Sequence, residues 1–218
     1  MLELYTSEGC SSCPRADEWM TSLKHSKRLW KEVVPVAFHV DIWDMDGWKD
    51  RLSSADHTAR QRAYAQKWGV KKIYTPMFVE NGREYRKDYR SLAALSNDGT
   101  AGGLLEATQT ARNTFDLRYR PTQGTGLWRI HFVLLGFNIL SHVSSGENRG
   151  DNLKHDFAVL FHSSQDVETK AGVAWAGVRF PETLPVDPIQ KAVVFWVSAG
   201  EDPTPVQVLG GFLSKEDS

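Results

Sequence analysis

The sequence predicts an α/β unit of order β-α-β-α-β-β-α followed by an antiparallel, β-rich, sandwich-like C-terminal region. Three observations carry that prediction. Short apolar runs alternate with helix-period segments as far as Arg112, an Asn81-Gly82 dipeptide separates two β-type segments, and beyond Gly126 the helical period gives way to β-type runs divided by turn clusters. The expected division is residues 1–118 for the α/β unit and 119–218 for the β-rich unit.

The elements follow in order. Leu2–Thr6 is short, apolar and aromatic, and it runs into the turn signal Ser7-Glu8-Gly9-Cys10. From Pro14, the spacing of Ala16, Trp19, Met20 and Leu23 is that of one helix face, and Pro14 suits a first helical turn, where a missing N–H costs nothing. Val33–Val40 is almost continuously apolar, as expected of a strand covered on both faces. Asp41–Ala55 reads as a loop, and Thr58–Trp68 as a second helix stopped at Gly69. Met77–Glu80 and Arg83–Arg86 flank Asn81-Gly82 as a two-residue hairpin. Gly103–Arg112, with Leu104, Leu105, Thr108 and Ala111 roughly on one side, predicts a third helix. Six strands are then expected at Leu127–Leu135, Asn138–Val143, Lys154–His162, Gly172–Phe180, Ala192–Ser198 and Val206–Leu213.

Composition excludes several function classes. Hydrophobic residues make up 41% and charged residues 24% of 218, which is ordinary for a globular chain. Twenty-six basic against 27 acidic side chains, with no basic block, argue against nucleic acid as a partner. No apolar run approaches the roughly 20 residues that span a bilayer. The two cysteines lie three positions apart and form one local chemical unit rather than a disulfide framework. Met1 is followed at once by a strand-like run, so a signal peptide is not expected in this chain; the protein is cytoplasmic as given, or exported and trimmed.

The chemistry centres on Cys10-Ser11-Ser12-Cys13, placed between a first strand and a helix. A helix N-terminus favours thiolate over thiol at its leading sulfur, making Cys10 the expected nucleophile and Cys13, one turn on, the resolving thiol. Thr75-Pro76 precedes a strand, where thioredoxin folds carry a cis-proline whose backbone can pair with a substrate peptide. The runs Glu3 to Pro14, Ala37 to Asp44 with Gly47-Trp48-Lys49-Asp50, and Thr58 to Tyr64 resemble a bacterial thioredoxin-like family catalogued as domain of unknown function 1223. Tyr74-Thr75-Pro76, Asn81-Gly82 and Gly146-Glu147-Asn148-Arg149-Gly150 extend the resemblance over most of the chain. It implies a thioredoxin-like fold with a C-terminal β extension, commonly in exported bacterial proteins.

The pattern departs from thioredoxin itself at Leu4, where a buried carboxylate is usual, and at Ser11-Ser12 and Gly9. Glu8, His39 and Asp41 are candidates for a proton relay near the dithiol. The first reading is a thiol-disulfide oxidoreductase acting on protein or small-molecule disulfides through Cys10, Cys13, Thr75 and Pro76, without a bound cofactor. The second is copper or zinc binding or delivery through Cys10 and Cys13, expected if His25, His39 or His57 completes a ligand set. The third is a non-catalytic binding module, expected if both sulfurs prove buried. Asp41, Asp44, Asp46, Gly47 and Asp50 lack the spacing of an EF-hand and read as caps of turns and of the following helix, Trp43 and Trp48 as packing residues in preference to the lining of a peptide groove, and Glu147 to Gly150 as a tight hairpin. His131, His142, His155 and His162 are scattered over strands and read as core or surface residues.

Overall fold

The structure, a computed structural model, describes residues 1–45, 47–86, 102–123 and 126–214. Its first elements are β1 (Leu2–Thr6), α1 (Cys13–Ser22), β2 (Pro35–His39), α2 (Ala55–Lys67), β3 (Met77–Glu80) and β4 (Arg83–Glu84). Then follow β5 (Gly103–Ala111), β6 (Thr114–Pro121), β7 (Leu127–Phe137), β8 (Ile139–His142), β9 (Asn152–His155), β10 (Ala158–Glu168), β11 (Ala174–Arg179), β12 (Gln190–Ala199) and β13 (Gln207–Phe212).

β1 pairs in parallel with β2 and antiparallel with β3, and all five of its residues are buried, which is why it reads as a continuous apolar run. Ser54 caps α2 by accepting a hydrogen bond from the Asp56 amide. Asn81 and Gly82 both adopt positive φ, as a two-residue turn between Glu80 and Arg83 requires.

The predicted fold class is corrected. The chain is predominantly β, with two α-helices among the described residues, and one mixed sheet of order β13-β12-β7-β10-β2-β1-β3-β4 replaces an α/β thioredoxin-like unit followed by a separate sandwich. The seam is the parallel register Ala158↔Ala37, where the Ala37 amide donates to the Phe157 carbonyl. The expected third helix is strand β5, paired along its length with β6 through the turn Arg112-Asn113. The Gly and Asn that looked like helix limits serve that ladder: Gly103 has a φ that favours glycine and Asn113 is left-handed. β-branched Thr108 and Thr110 suit the strand, and burial of Leu105 and Tyr119 between the sheets outweighs helix propensity. The expected strand Lys154–His162 divides at left-handed Phe157: β9 pairs with β8, and β10 joins the large sheet.

Alternation along β7 explains how the layers join. Ile130, Phe132 and Leu134 face the core shared with the three-stranded sheet β11-β6-β5, whereas Val133, Leu135 and Phe137 face the core shared with α1 and the N-terminal strands. From Ile130 to Phe137 both faces are buried, and apart from His131 the run carries no polar side chain there. Among the described residues no helix is long and apolar enough to cross a membrane.

Candidate functional site: a buried dithiol over a carboxylate and histidine network

The segment from Ser7 to Ser12 carries the chain from β1 to α1. The Cys10 amide donates to the Ser7 carbonyl at 3.2 Å and the Cys13 amide to the Cys10 carbonyl at 3.1 Å, so the turn closes before the helix begins. Gly9 is required by close approach: a Cβ there would lie 2.8 Å from the Trp43 Cβ. The other side of the turn is stitched from far along the chain. The Asn148 side-chain amide donates to the Glu8 carbonyl at 2.8 Å and the Cys10 carbonyl at 3.0 Å, and the Ser11 amide donates to the Glu147 carboxylate at 3.1 Å.

Cys10 and Cys13 are both free thiols, 3% and 0% exposed. The Cys10 sulfur lies 3.3 Å from the Ser12 hydroxyl and 3.7 Å from the Thr75 carbonyl, and the Thr75–Pro76 peptide bond is cis. The Trp43 indole N–H donates to the Thr75 hydroxyl at 2.8 Å, fixing the far wall. Hydrogen bonding from the Cys13 thiol, then from the Ser12 and Thr75 hydroxyls, holds Cys10 at about 5, far below an ordinary thiol. Burial, and then the hydrogen bond to and the charge of Cys10, push Cys13 well above the ordinary range. One sulfur is thus a thiolate at neutral pH and the other a thiol.

Beneath the dithiol lies a buried ionisable cluster. His39 Nδ1 is 2.6 Å from Asp50 Oδ2, and that oxygen also accepts from the Glu8 amide at 3.0 Å. Glu8 accepts from the Trp48 indole at 2.7 Å and lies 3.1 Å from His155 Nε2. His155 Nδ1 is 3.9 Å from Asp17 Oδ2, to which the Thr6 hydroxyl donates at 3.0 Å. Burial alone would drive the proton off His39, but the Asp50 carboxylate lifts it to about 9. Burial would likewise raise Asp50, yet His39 holds it at about 2. Glu8 is lowered against its own burial, chiefly by the hydrogen bond with His155, whereas burial raises Asp17.

Of the predicted site residues, Cys10, Cys13, Thr75 and Pro76 converge, and Glu8 and His39 lie in the cluster below them. Asp41 does not: its carboxylate accepts from the Thr58 hydroxyl at 2.6 Å and ties the loop to α2. His57 binds the His39 carbonyl through Nδ1, and burial holds it at about 4, so it is neutral. Asp44 caps a turn, accepting from the Asp50 amide and the Ser53 hydroxyl; Asp46 lies outside the described residues. Among the described residues no group of three or more His, Cys, Asp or Glu side chains is placed to hold a metal ion. The sequence reading missed Asp17, Asp50, Asn148 and His155, and treated Trp43 and Trp48 as packing residues. Only Asp17 left a local signal, four residues after Cys13 on a helix; the others are brought in by chain separations no spacing rule covers.

No protein of curated function matches the chain. A crystal structure of a protein from Agrobacterium tumefaciens superposes with a TM-score of 0.64 at 22% identity, covering 97% of this chain and 92% of that one, a likeness of fold. A family model described as "Protein of unknown function (DUF1223)" matches residues 1–197, and the chain belongs to that family.

Proposed function

We propose that the protein is a thiol-disulfide oxidoreductase whose Cys10 and Cys13 exchange with protein or small-molecule disulfides. Both sulfurs are buried, the condition under which a non-catalytic binding module was the expectation; the observation that carries the exchange reading is their asymmetry, with Cys10, 3.7 Å from the Thr75 carbonyl beside the cis peptide bond, held at about 5 while the fully buried Cys13 is pushed up. Nucleophile and resolving thiol need that division. The Cys10 thiolate attacks one sulfur of a substrate disulfide and releases the other as a thiolate. Cys13, once deprotonated, attacks the Cys10 sulfur, closes the Cys10–Cys13 disulfide and releases the second substrate thiolate. Two electrons pass from the dithiol to the substrate, and the reverse sequence oxidises a substrate dithiol.

A glutathione redox titration of the intact protein tests the proposal, with thiolate absorbance followed against pH. The expected result is a reversible two-electron couple and a thiolate titrating near pH 5, both abolished by Cys10→Ser. Absence of any couple in the folded protein would overturn the assignment.

A further inference from the structure

Resolution poses a problem that the dithiol cannot solve alone. Cys13 is fully buried and must lose its proton before it can attack the mixed disulfide. Once Cys10 is bonded to substrate, the thiolate charge that helped keep Cys13 protonated is gone, which eases deprotonation but does not say where the proton goes. An acceptor has to sit within the same enclosed space.

We propose that Asp17 accepts the Cys13 proton when the mixed disulfide is resolved, and that His155 behind it holds the ionised carboxylate. The inference rests on the exchange chemistry proposed above and identifies the residues that handle its proton. Cys13 and Asp17 are four residues apart on α1 and so share a helix face, and the Asp17 charge is among the influences acting on the Cys13 thiol. Asp17 is 9% exposed, and its Oδ2 accepts from the Thr6 hydroxyl at 3.0 Å. His155 Nδ1 faces the same oxygen at 3.9 Å and has no hydrogen-bond partner of its own, while Nε2 is engaged by Glu8.

The other charges around Asp17 are accounted for. From the β1–α1 turn comes Glu8, held by His155 and Trp48; from β2 comes His39, paired with Asp50. One turn further along the helix Thr21 donates to Asp156, a residue from the segment between β9 and β10, and Asp156 also pairs at 2.8 Å with Lys24 just beyond the end of α1. That leaves the Asp17 carboxylate as the proton-accepting group on the Cys13 face. Burial raises its affinity for a proton, which suits a group that must take one from a thiol and return it in the reverse reaction. The step balances: the Cys13 S–H proton moves to an Asp17 oxygen, the Cys13 sulfur bonds to the Cys10 sulfur, and the substrate sulfur departs with the electron pair of the broken bond.

The test is stopped-flow reaction of the reduced full-length protein with 5,5′-dithiobis(2-nitrobenzoate), which releases one chromophore when Cys10 attacks and a second when Cys13 resolves. In Asp17→Asn the first phase should stay within about twofold of wild type. The second should slow at least roughly tenfold and lose the acid limb of its pH profile. Thr6→Val keeps the carboxylate but removes its hydrogen bond, and should move that acid limb upward by roughly half a pH unit or more. If Asp17→Asn leaves both phases unchanged, or, should that variant not fold, Thr6→Val leaves the limb in place, the Asp17 assignment is overturned while the exchange reading stands. A wild-type protein that never releases a second equivalent defeats the exchange reading itself.

Discussion

At the scale of single residues, the site is an exercise in placing unequal protonation side by side. Two thiols three positions apart differ because one receives hydrogen bonds at a helix start and the other is sealed beneath it. His39 and Asp50 form the other unequal pair, and their pH dependence can be worked out. His39 titrates near 6.5 when unfolded and about 9 when folded, so its contribution is full below 6.5 and lost as pH rises through 9. Asp50 titrates near 3.8 unfolded and about 2 folded, so its contribution is full above 3.8 and lost as pH falls through 2. The pair therefore stabilises most between those unfolded values. Asp50→Asn strands His39 in a buried site and should cost about 3–5 kcal/mol at pH 5. Urea denaturation in a Cys10→Ser, Cys13→Ser background, where the thiols add nothing to the profile, measures this; an unchanged midpoint across pH 4–9 would show that the pair is not formed.

Among the elements, turns carry the local information and ladders override it. The Asn81-Gly82 hairpin was legible because only a few residue types accept two successive left-handed positions. Gly82 is held there by φ +80° and by the Thr204 side chain, whose atoms a Cβ would meet at 2.5–2.9 Å. Gly82→Ala should lower stability by roughly 1–3 kcal/mol, read as a lower thermal midpoint at unchanged far-ultraviolet spectrum. A midpoint equal to wild type would mean the turn relaxes without cost. Gly103–Ala111 shows the opposite case. Its apolar positions satisfy a helix period as well as a strand, and the choice fell to β6, which supplies a full ladder and a shared core. α1 was readable from Pro14 and the spacing of Ala16, Trp19 and Met20, and the only local mark on Asp17 was its place four residues after Cys13 on that helix.

For the whole molecule, the decisive fact is that strands from both halves share one sheet. Phe38 on β2 packs edge-on against His162 and Trp196, and the Arg60 guanidinium lies over Trp196 while binding Glu3 on β1 and the Pro203 carbonyl. A chain of residues 1–118 would lose β10 from the edge of β2 and all of these contacts. It should not yield a soluble, cooperatively melting monomer by size-exclusion chromatography and circular dichroism. A well-behaved monomer with Cys10 still titrating near 5 would refute the dependence of the dithiol on Asn148 and His155. The sequence by itself determined what local sterics and hydrogen-bond geometry dictate: the β1-turn-α1 placement of the cysteines, the second helix and its stop at Gly69, the hairpin and most of the later strands. Tertiary structure alone decided which edge β10 would extend, that β5 would be a strand, and that Asn148 and His155 would close over a turn 138 and 147 residues away from their partners Cys10 and Glu8. Those outcomes turn on burial shared between distant segments, a quantity that a window of neighbouring residues does not contain.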